Sequence, residues 1–187
     1  MKHFLLFLFC LIIGTHASAE PAQACSQWPS WFKPVCDRLN QTWTDGDNEL
    51  YLTGYAWHNR YLYPKKRLDT YNEAAWGGGL GKSFYDKEGD WNGLYAIAFL
   101  DSHKNIEPMI GYAFLKMAHF TPELGMGIGY SVLVTARPDI FHNIPFPGIL
   151  PLISISYRRV TAAAAYIPGS QGAGNVLFCY VKYIFQE

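Results

Sequence analysis

From Glu49 to Phe185 apolar residues recur in runs of about ten, each closed by turn-forming residues, and large and small side chains alternate within most runs. That is the period of a membrane-crossing β-strand, too short and too regular in its alternation for a buried helix. The pattern predicts eight strands, over residues 49–62, 76–86, 91–101, 106–118, 123–136, 148–158, 160–168 and 174–185. Short connections at DKEGD, HFTPE and YRRV alternate with longer ones at YPKKRLDTYNEAA, ARPDIFHNIPFP and PGSQGAGN, with LDSHKN on the same side as the long set. Such alternation predicts an all-β fold: an eight-stranded antiparallel transmembrane β-barrel, with the longer loops gathered at one rim.

Successive strand side chains point to opposite sides, so parity separates the two faces of each run. In the fifth run Leu124, Met126, Ile128, Tyr130, Val132 and Val134 oppose Gly125, Gly127, Gly129, Ser131 and Leu133. Gly77, Gly79, Gly81 and Ser83 form a similar small face in the second run. The bulky face suits lipid and the small face an interior that needs room. By the same rule the first run places Tyr51, Tyr55, Trp57 and Tyr61 outside, and Leu50, Leu52, Gly54, Ala56 and His58 inside. The fourth, sixth and eighth runs are largely apolar on both faces, which predicts a charge-poor bore able to hold a hydrocarbon chain rather than a water-filled pore. A soluble lipocalin-like barrel would carry polar residues outside, where this chain has aromatics and aliphatics.

Upstream, SQWPSWFKPVCDRLNQTW spaces Trp28, Trp31, Phe32, Val35 and Leu39 as on an amphipathic helix suited to a membrane interface. The first residues have Lys2, an apolar run from Phe4 to Ile13 and the A-x-A pattern of Ala17 and Ala19. They read as a secretory signal peptide, since the run is shorter than the ~20 residues a spanning helix needs. The expected organisation is a signal over 1–19, an amphipathic helical segment over 20–46 and the barrel over 47–187. Export permits a disulfide between Cys25 and Cys36. A continuous helix would hold them about 16 Å apart at 1.5 Å per residue, so pairing requires a broken segment around Pro29 and Pro34.

Acidic and basic residues are equal in number, 15 each among 187 residues, so no electrostatic footprint for nucleic acid is present. The chemistry-bearing feature is the abrupt end of WNGLYAIAFL at Asp101, Ser102 and His103. The first and third strands end at the same rim about 10 Å apart, a gap that inward side chains in a curved wall can close. His58 can therefore meet Asp101 and Ser102 above the apolar bore. Imidazole, with an ordinary pKa of about 6.5, can take a proton from a hydroxyl; Asp101 can orient the imidazolium; Ser102 can attack or donate to an oxyanion. The histidines His58, His103 and His142 lack the spacing of a zinc site, and no metal is expected. A small structural or adhesion barrel without catalysis is the alternative.

The combination YAWHNRY, TYNE followed by WGGG, GDWNGLYA, DS-x-x-x-x-EP, TARPD, ILPLISISY and YIPG runs along nearly the whole mature chain and resembles the lipid A palmitoyltransferase (PagP) family. The resemblance implies an outer-membrane barrel of a Gram-negative bacterium that moves a palmitoyl chain from the sn-1 position of a phospholipid to lipid A. It implies no cofactor, a phospholipid donor, lipid A or lipopolysaccharide as acceptor, the outer-membrane bilayer as surroundings, and a monomer. It assigns catalysis to His58, Asp101 and Ser102, a loop cation to Arg137 and a polar position on the inner-leaflet side to Asp86. Pro151 and Pro168 match the family's proline-marked gap for lipid access, because proline removes a ladder donor. Thr53 and Ala75 stand where a second proline pair belongs. The floor of the family's acyl pocket is typically glycine; here it is Ala113, whose methyl implies either a chain shortened by about one carbon or a floor widened elsewhere, overpacking costing about 1–3 kcal/mol. Phe185 matches the terminal aromatic of a barrel insertion signal.

Overall fold

The computed structural model describes residues 25–170 and 174–185. The expected signal peptide and the start of the helical segment lie outside the described residues. Helix α1 spans Lys33–Asp45. The strands are β1 Asp47–His58, β2 Gly77–Tyr85, β3 Trp91–Leu100, β4 Ile106–His119, β5 Leu124–Thr135, β6 Phe146–Tyr157, β7 Val160–Ile167 and β8 Val176–Phe185, with a one-turn helix α2, Lys65–Leu68, between β1 and β2. Each strand pairs with its sequence neighbour and β1 returns to β8, giving a closed barrel. Closure satisfies the backbone within the wall, the condition for crossing hydrocarbon with strands. No helix among the described residues is long and apolar enough to span a membrane.

The outward positions of β2, β4, β5 and β6 carry exposed Leu80, Ile110, Ile128 and Ile153, a belt that belongs in lipid rather than water. Parity holds along β5 as the sequence predicts, with Gly125, Gly127, Ser131 and Leu133 buried. Along the first half of β1 it is reversed: Tyr51 is 2% exposed and Leu52 56% exposed. The reason is a β-bulge. On the β8 ladder Thr53 pairs with Tyr180 and Tyr55 with Cys179, leaving Gly54 extra. One inserted residue swaps the faces, so a single parity cannot describe the strand. Beyond the bulge Tyr55 is outside and Ala56 and His58 are inside.

Residues 25–32 form turns before α1, and the Cys25–Cys36 disulfide, Cα–Cα 5.8 Å, ties them to its first turns. The helix lies outside the barrel against β2 and β3. Arg38 Nη1 donates to Asp86 Oδ2 at 2.7 Å in the short β2–β3 turn, and Lys82 Nζ donates to the carbonyl of Trp43 at 2.8 Å. Trp28, Trp31 and Trp43 remain exposed beside this contact, where tryptophan suits a headgroup interface. Gly46 ends the helix against the wall; a Cβ there would stand 2.3 Å from Thr42 O and 3.0 Å from Ser83 N, so no other residue fits unchanged.

The bore, expected from the sequence to be poor in charge, holds one buried ion pair. At the short-turn end Lys182 Nζ meets Glu49 Oε1 at 2.6 Å, both side chains almost fully buried, and the ammonium lies 3.8 Å from the Trp91 ring centroid. Tyr51 and Ser83 donate their hydroxyls to Glu49 at 2.6 and 2.7 Å, and Trp91 Nε1 at 3.3 Å. This network closes the barrel beneath the apolar cluster of Ile97, Phe99, Met109, Leu152 and Phe178. Removing one charge strands the other, so Lys182→Met should lose about 3–5 kcal/mol of unfolding stability in detergent. The double variant Lys182→Met, Glu49→Gln should recover most of it; urea titration followed by tryptophan fluorescence reads both.

Candidate active site

His58 is the last residue of β1, past the bulge, and is 2% exposed. Ser102 follows β3 in a tight turn organised by Asp101. The Asp101 Oδ1 accepts the backbone N–H groups of His103 and Asn105, both at 2.8 Å, and its own N–H donates to the Asn105 carbonyl at 2.8 Å. Lys104 completes the turn at φ 65°. The turn is fastened to the β1–β2 loop, since the Asn72 N–H donates to the Ser102 carbonyl at 2.8 Å. The result is a His58 Nε2 to Ser102 Oγ distance of 3.0 Å.

Asp101 does not take the orienting position the sequence reading gives it. Its carboxylate is spent on the turn's own amides, and beyond them faces Arg137 Nη2 at 3.9 Å. The group on the other imidazole nitrogen is Glu73, whose Oε1 lies 3.1 Å from His58 Nδ1. Glu73 also accepts the His58 backbone N–H at 3.1 Å, the Tyr55 hydroxyl at 3.0 Å and both terminal nitrogens of Arg60, at 2.6 and 2.5 Å. Sequence spacing does not single out Glu73, because a loop residue has no period. The available signal is an acid and an arginine in one loop between two strands.

Arg137 reaches the same rim from the β5–β6 loop, with Asp139 at 3.0 and 2.9 Å and Glu107 at 3.6 Å. Tyr63 and Tyr71 flank the imidazole, ring centroids 5.5 and 4.8 Å away. Together these groups border an open vestibule of ≈ 680 Å³. Beneath it lies an enclosed apolar cavity of ≈ 30 Å³ among Ile97, Met109, Leu150, Leu152 and Tyr180. The rings of Phe99 and Phe178, centroids 4.5 Å apart and tilted at 37°, line both spaces. Ligand pockets typically measure about 300–1,000 Å³, so the lower cavity is smaller than a ligand site unless its lining rearranges. Ala113 is buried in the wall opposite Ser131, which lines the foot of that cavity.

Pro151 marks the point where β6 leaves β7: the ladder runs from Leu152–Ala165 to Tyr157–Val160, while Phe146–Pro151 pairs only with β5. Pro168 follows the last residue of β7. The β1–β2 ladder likewise stops at Thr53–Gly77, but there the Thr53 hydroxyl donates to the Ala75 carbonyl at 2.6 Å and the Ala56 N–H to the Glu73 carbonyl at 2.9 Å.

Fold and rim together define a membrane β-barrel with a hydroxyl, an imidazole and a carboxylate in line above an apolar interior, a set equipped for acyl transfer. The profile of the family described as "Antimicrobial peptide resistance and lipid A acylation protein PagP" matches residues 38–182. A protein of Legionella pneumophila named "Lipid A acyltransferase PagP" is 56% identical over 177 residues, covering 95% of both chains. Its namesakes in Legionella longbeachae serogroup 1 and Bordetella parapertussis are 58% identical over 173 residues (91% of this chain, 74% of the relative) and 55% identical over 164 residues (88% and 90%). The chain belongs to the PagP family.

The Arg60 guanidinium, with the His58 amide and the Tyr55 hydroxyl, holds the Glu73 carboxyl down from its ordinary 4.5 to about 2, against the opposing effect of burial. A depressed acid pKa contributes stability that is full above about 4.5 and is lost as the pH falls through about 2. Carboxyl-carbon NMR of the glutamate-labelled protein in micelles should show one glutamate titrating near 2. A midpoint at the ordinary value would mean the Arg60 pairing does not form.

Proposed function

We propose that this protein is a lipid A acyltransferase of the Gram-negative outer membrane, moving a palmitoyl or slightly shorter chain from the sn-1 position of a phospholipid to lipid A. Family membership supports the acyltransferase class. The observation that carries the chemistry is the 3.0 Å approach of His58 Nε2 to Ser102 Oγ at the mouth of an apolar interior. With the acyl tail lowered past Phe99 and Phe178, the donor's ester carbonyl stops at the rim, where the hydroxyl and the imidazole wait. A hydroxyl oxygen bonds to the carbonyl carbon as its proton passes to Nε2. The ester C–O bond then breaks and the proton moves from Nε2 to the departing lysophospholipid oxygen. When Ser102 Oγ attacks, the acyl group rests first as an ester on Ser102; the acceptor hydroxyl then attacks that ester, its proton passing to Nε2 and on to the departing Ser102 Oγ. When the acceptor hydroxyl attacks the donor directly, one displacement suffices; by either route the acyl group ends as an ester on the acceptor, and the imidazole is neutral again.

Ser102 serves as nucleophile or as hydrogen-bond donor to the oxyanion, and Asp101 serves by shaping the turn that presents it. Arg137 offers a cation at the same mouth for an anionic headgroup. Pro151 and Pro168 border the gap proposed for lateral lipid access, and the protein works as a monomer in the bilayer without a cofactor.

Lipid A mass spectrometry on cells producing the wild type should show a gain of one fatty acyl group that disappears with His58→Ala at equal expression. Transfer to water alone would make the protein a phospholipase, and an unchanged product with His58→Ala would make it a structural barrel. For chain length, Ala113→Gly should lengthen the preferred acyl group by about one carbon by removing a methyl from a packed wall. Identical acyl masses from both forms would remove Ala113 from the ruler.

A further inference from the structure

We propose that Glu73 is a positioning residue of this site: it fixes the His58 imidazole with its lone pair on Nε2, facing the reacting hydroxyl, and balances the imidazolium when the proton arrives. The proposal rests on the acyl-transfer reading and adds the member that reading lacks. An ionised carboxylate only accepts hydrogen bonds, so the hydrogen between Glu73 Oε1 and His58 Nδ1, 3.1 Å apart, belongs to Nδ1. A neutral imidazole then has its lone pair on Nε2, and the partner there at 3.0 Å is Ser102 Oγ, whose O–H donates to it. The opposite tautomer would leave Nε2 bearing a hydrogen, useless as a base.

Five donors converge on this one carboxylate. The two from Arg60 form a fork that fixes its plane, while the His58 amide ties it to the residue it serves. The Tyr55 hydroxyl holds the remaining side. No comparable arrangement is open to Asp101, whose oxygens are occupied by the backbone N–H groups of His103 and Asn105 and by the Asn105 side chain at 3.3 Å. The titratable and charged groups around the imidazole are Arg60, Tyr63, Arg67, Tyr71 and Glu73 from the β1–β2 loop, Asp101 and His103 from the β3–β4 turn, Glu107 from β4, and Arg137 and Asp139 from the β5–β6 loop. Among these Glu73 is the anion in hydrogen-bond contact. During transfer the proton goes from oxygen to Nε2 and onward to the leaving oxygen; the Nδ1 hydrogen stays in place and Glu73 gains none.

The test uses the full-length protein in micelles with a phospholipid donor and lipid A acceptor. Glu73→Gln should lower kcat roughly 100- to 10,000-fold with little change in KM. The acid limb of kcat/KM should move to lower pH, because the imidazolium loses its anion. Arg60→Gln, at an exposed position, should move that limb the other way, because a competing cation is gone. Nitrogen NMR of the labelled histidine, read without substrate, should show hydrogen on Nδ1 in the wild type and a mixed or inverted tautomer in Glu73→Gln. A wild-type hydrogen on Nε2, or a lower rate with both acid limbs unmoved, would overturn the role. Full activity of Glu73→Gln beside inactive His58→Ala and Ser102→Ala would overturn it while leaving the acyltransferase reading intact. If the wild type transfers nothing, that reading falls, and the tautomer spectrum alone judges Glu73.

Discussion

A backbone that crosses hydrocarbon must satisfy its own donors and acceptors, and closing β1 onto β8 is how this chain meets the condition. The active rim follows from where closure is incomplete. Past Thr53 the outer part of β1 keeps β8 but loses β2, so one edge of the strand needs new partners. The β1–β2 loop supplies them, with the Glu73 carbonyl accepting from Ala56 N–H. That backbone bond brings the Glu73 side chain beside His58, two residues farther along the same strand. The bulge at Gly54 then decides that His58 faces the bore and not the lipid. Pairing, bulge and loop together set the imidazole and its carboxylate.

The interior changes character along the barrel axis. At the short-turn end a lysine and a glutamate neutralise each other, surrounded by Tyr51, Ser83 and Trp91. A buried pair of this kind is a weak source of net stability, but it neutralises the two charges against each other across the bore, with the Trp91 ring 3.8 Å from the ammonium. Above it the lining is aromatic and aliphatic, and above that the polar rim begins. Hydrocarbon is favoured in this apolar zone, between the buried ion pair and the polar rim. Phe99 and Phe178 line both the apolar zone and the rim above it.

Strand count, connection order and the inner face of β5 are legible in the sequence because they rest on period-two alternation and on turn residues. The faces of β1 are not, because a bulge adds one residue without any change in composition. Lys182 is hidden within VLFCYVKYIF, one cation among apolar neighbours, and only the ladder places it beside Tyr51. His58 and Ser102 are readable as two strand ends on one rim. Glu73 is not, since its place depends on how a loop folds back over an unpaired edge. Asp101 illustrates the converse: an acid adjacent in sequence to the serine is taken up by the turn it stands in, because local amides are nearer than the imidazole.

The two places where neighbouring strands part are therefore unequal. Between β6 and β7, Pro151 and Pro168 withhold donors at the parting, and residues 146–151 keep a single neighbour. Between β1 and β2 the residues are Thr53 and Ala75, and the threonine hydroxyl donates across the parting to the Ala75 carbonyl, a bond worth about 1 kcal/mol when buried. Opening that side means breaking this bond, the Ala56–Glu73 bond beside it and, through Glu73, the support of His58. No hydrogen bond of the imidazole crosses the β6–β7 parting, since its partners are Glu73 and Ser102. The lateral route proposed at Pro151 and Pro168 therefore lies on the side with fewer bonds across the parting, away from the Thr53–Ala75 and Ala56–Glu73 bonds that tie the other side to His58.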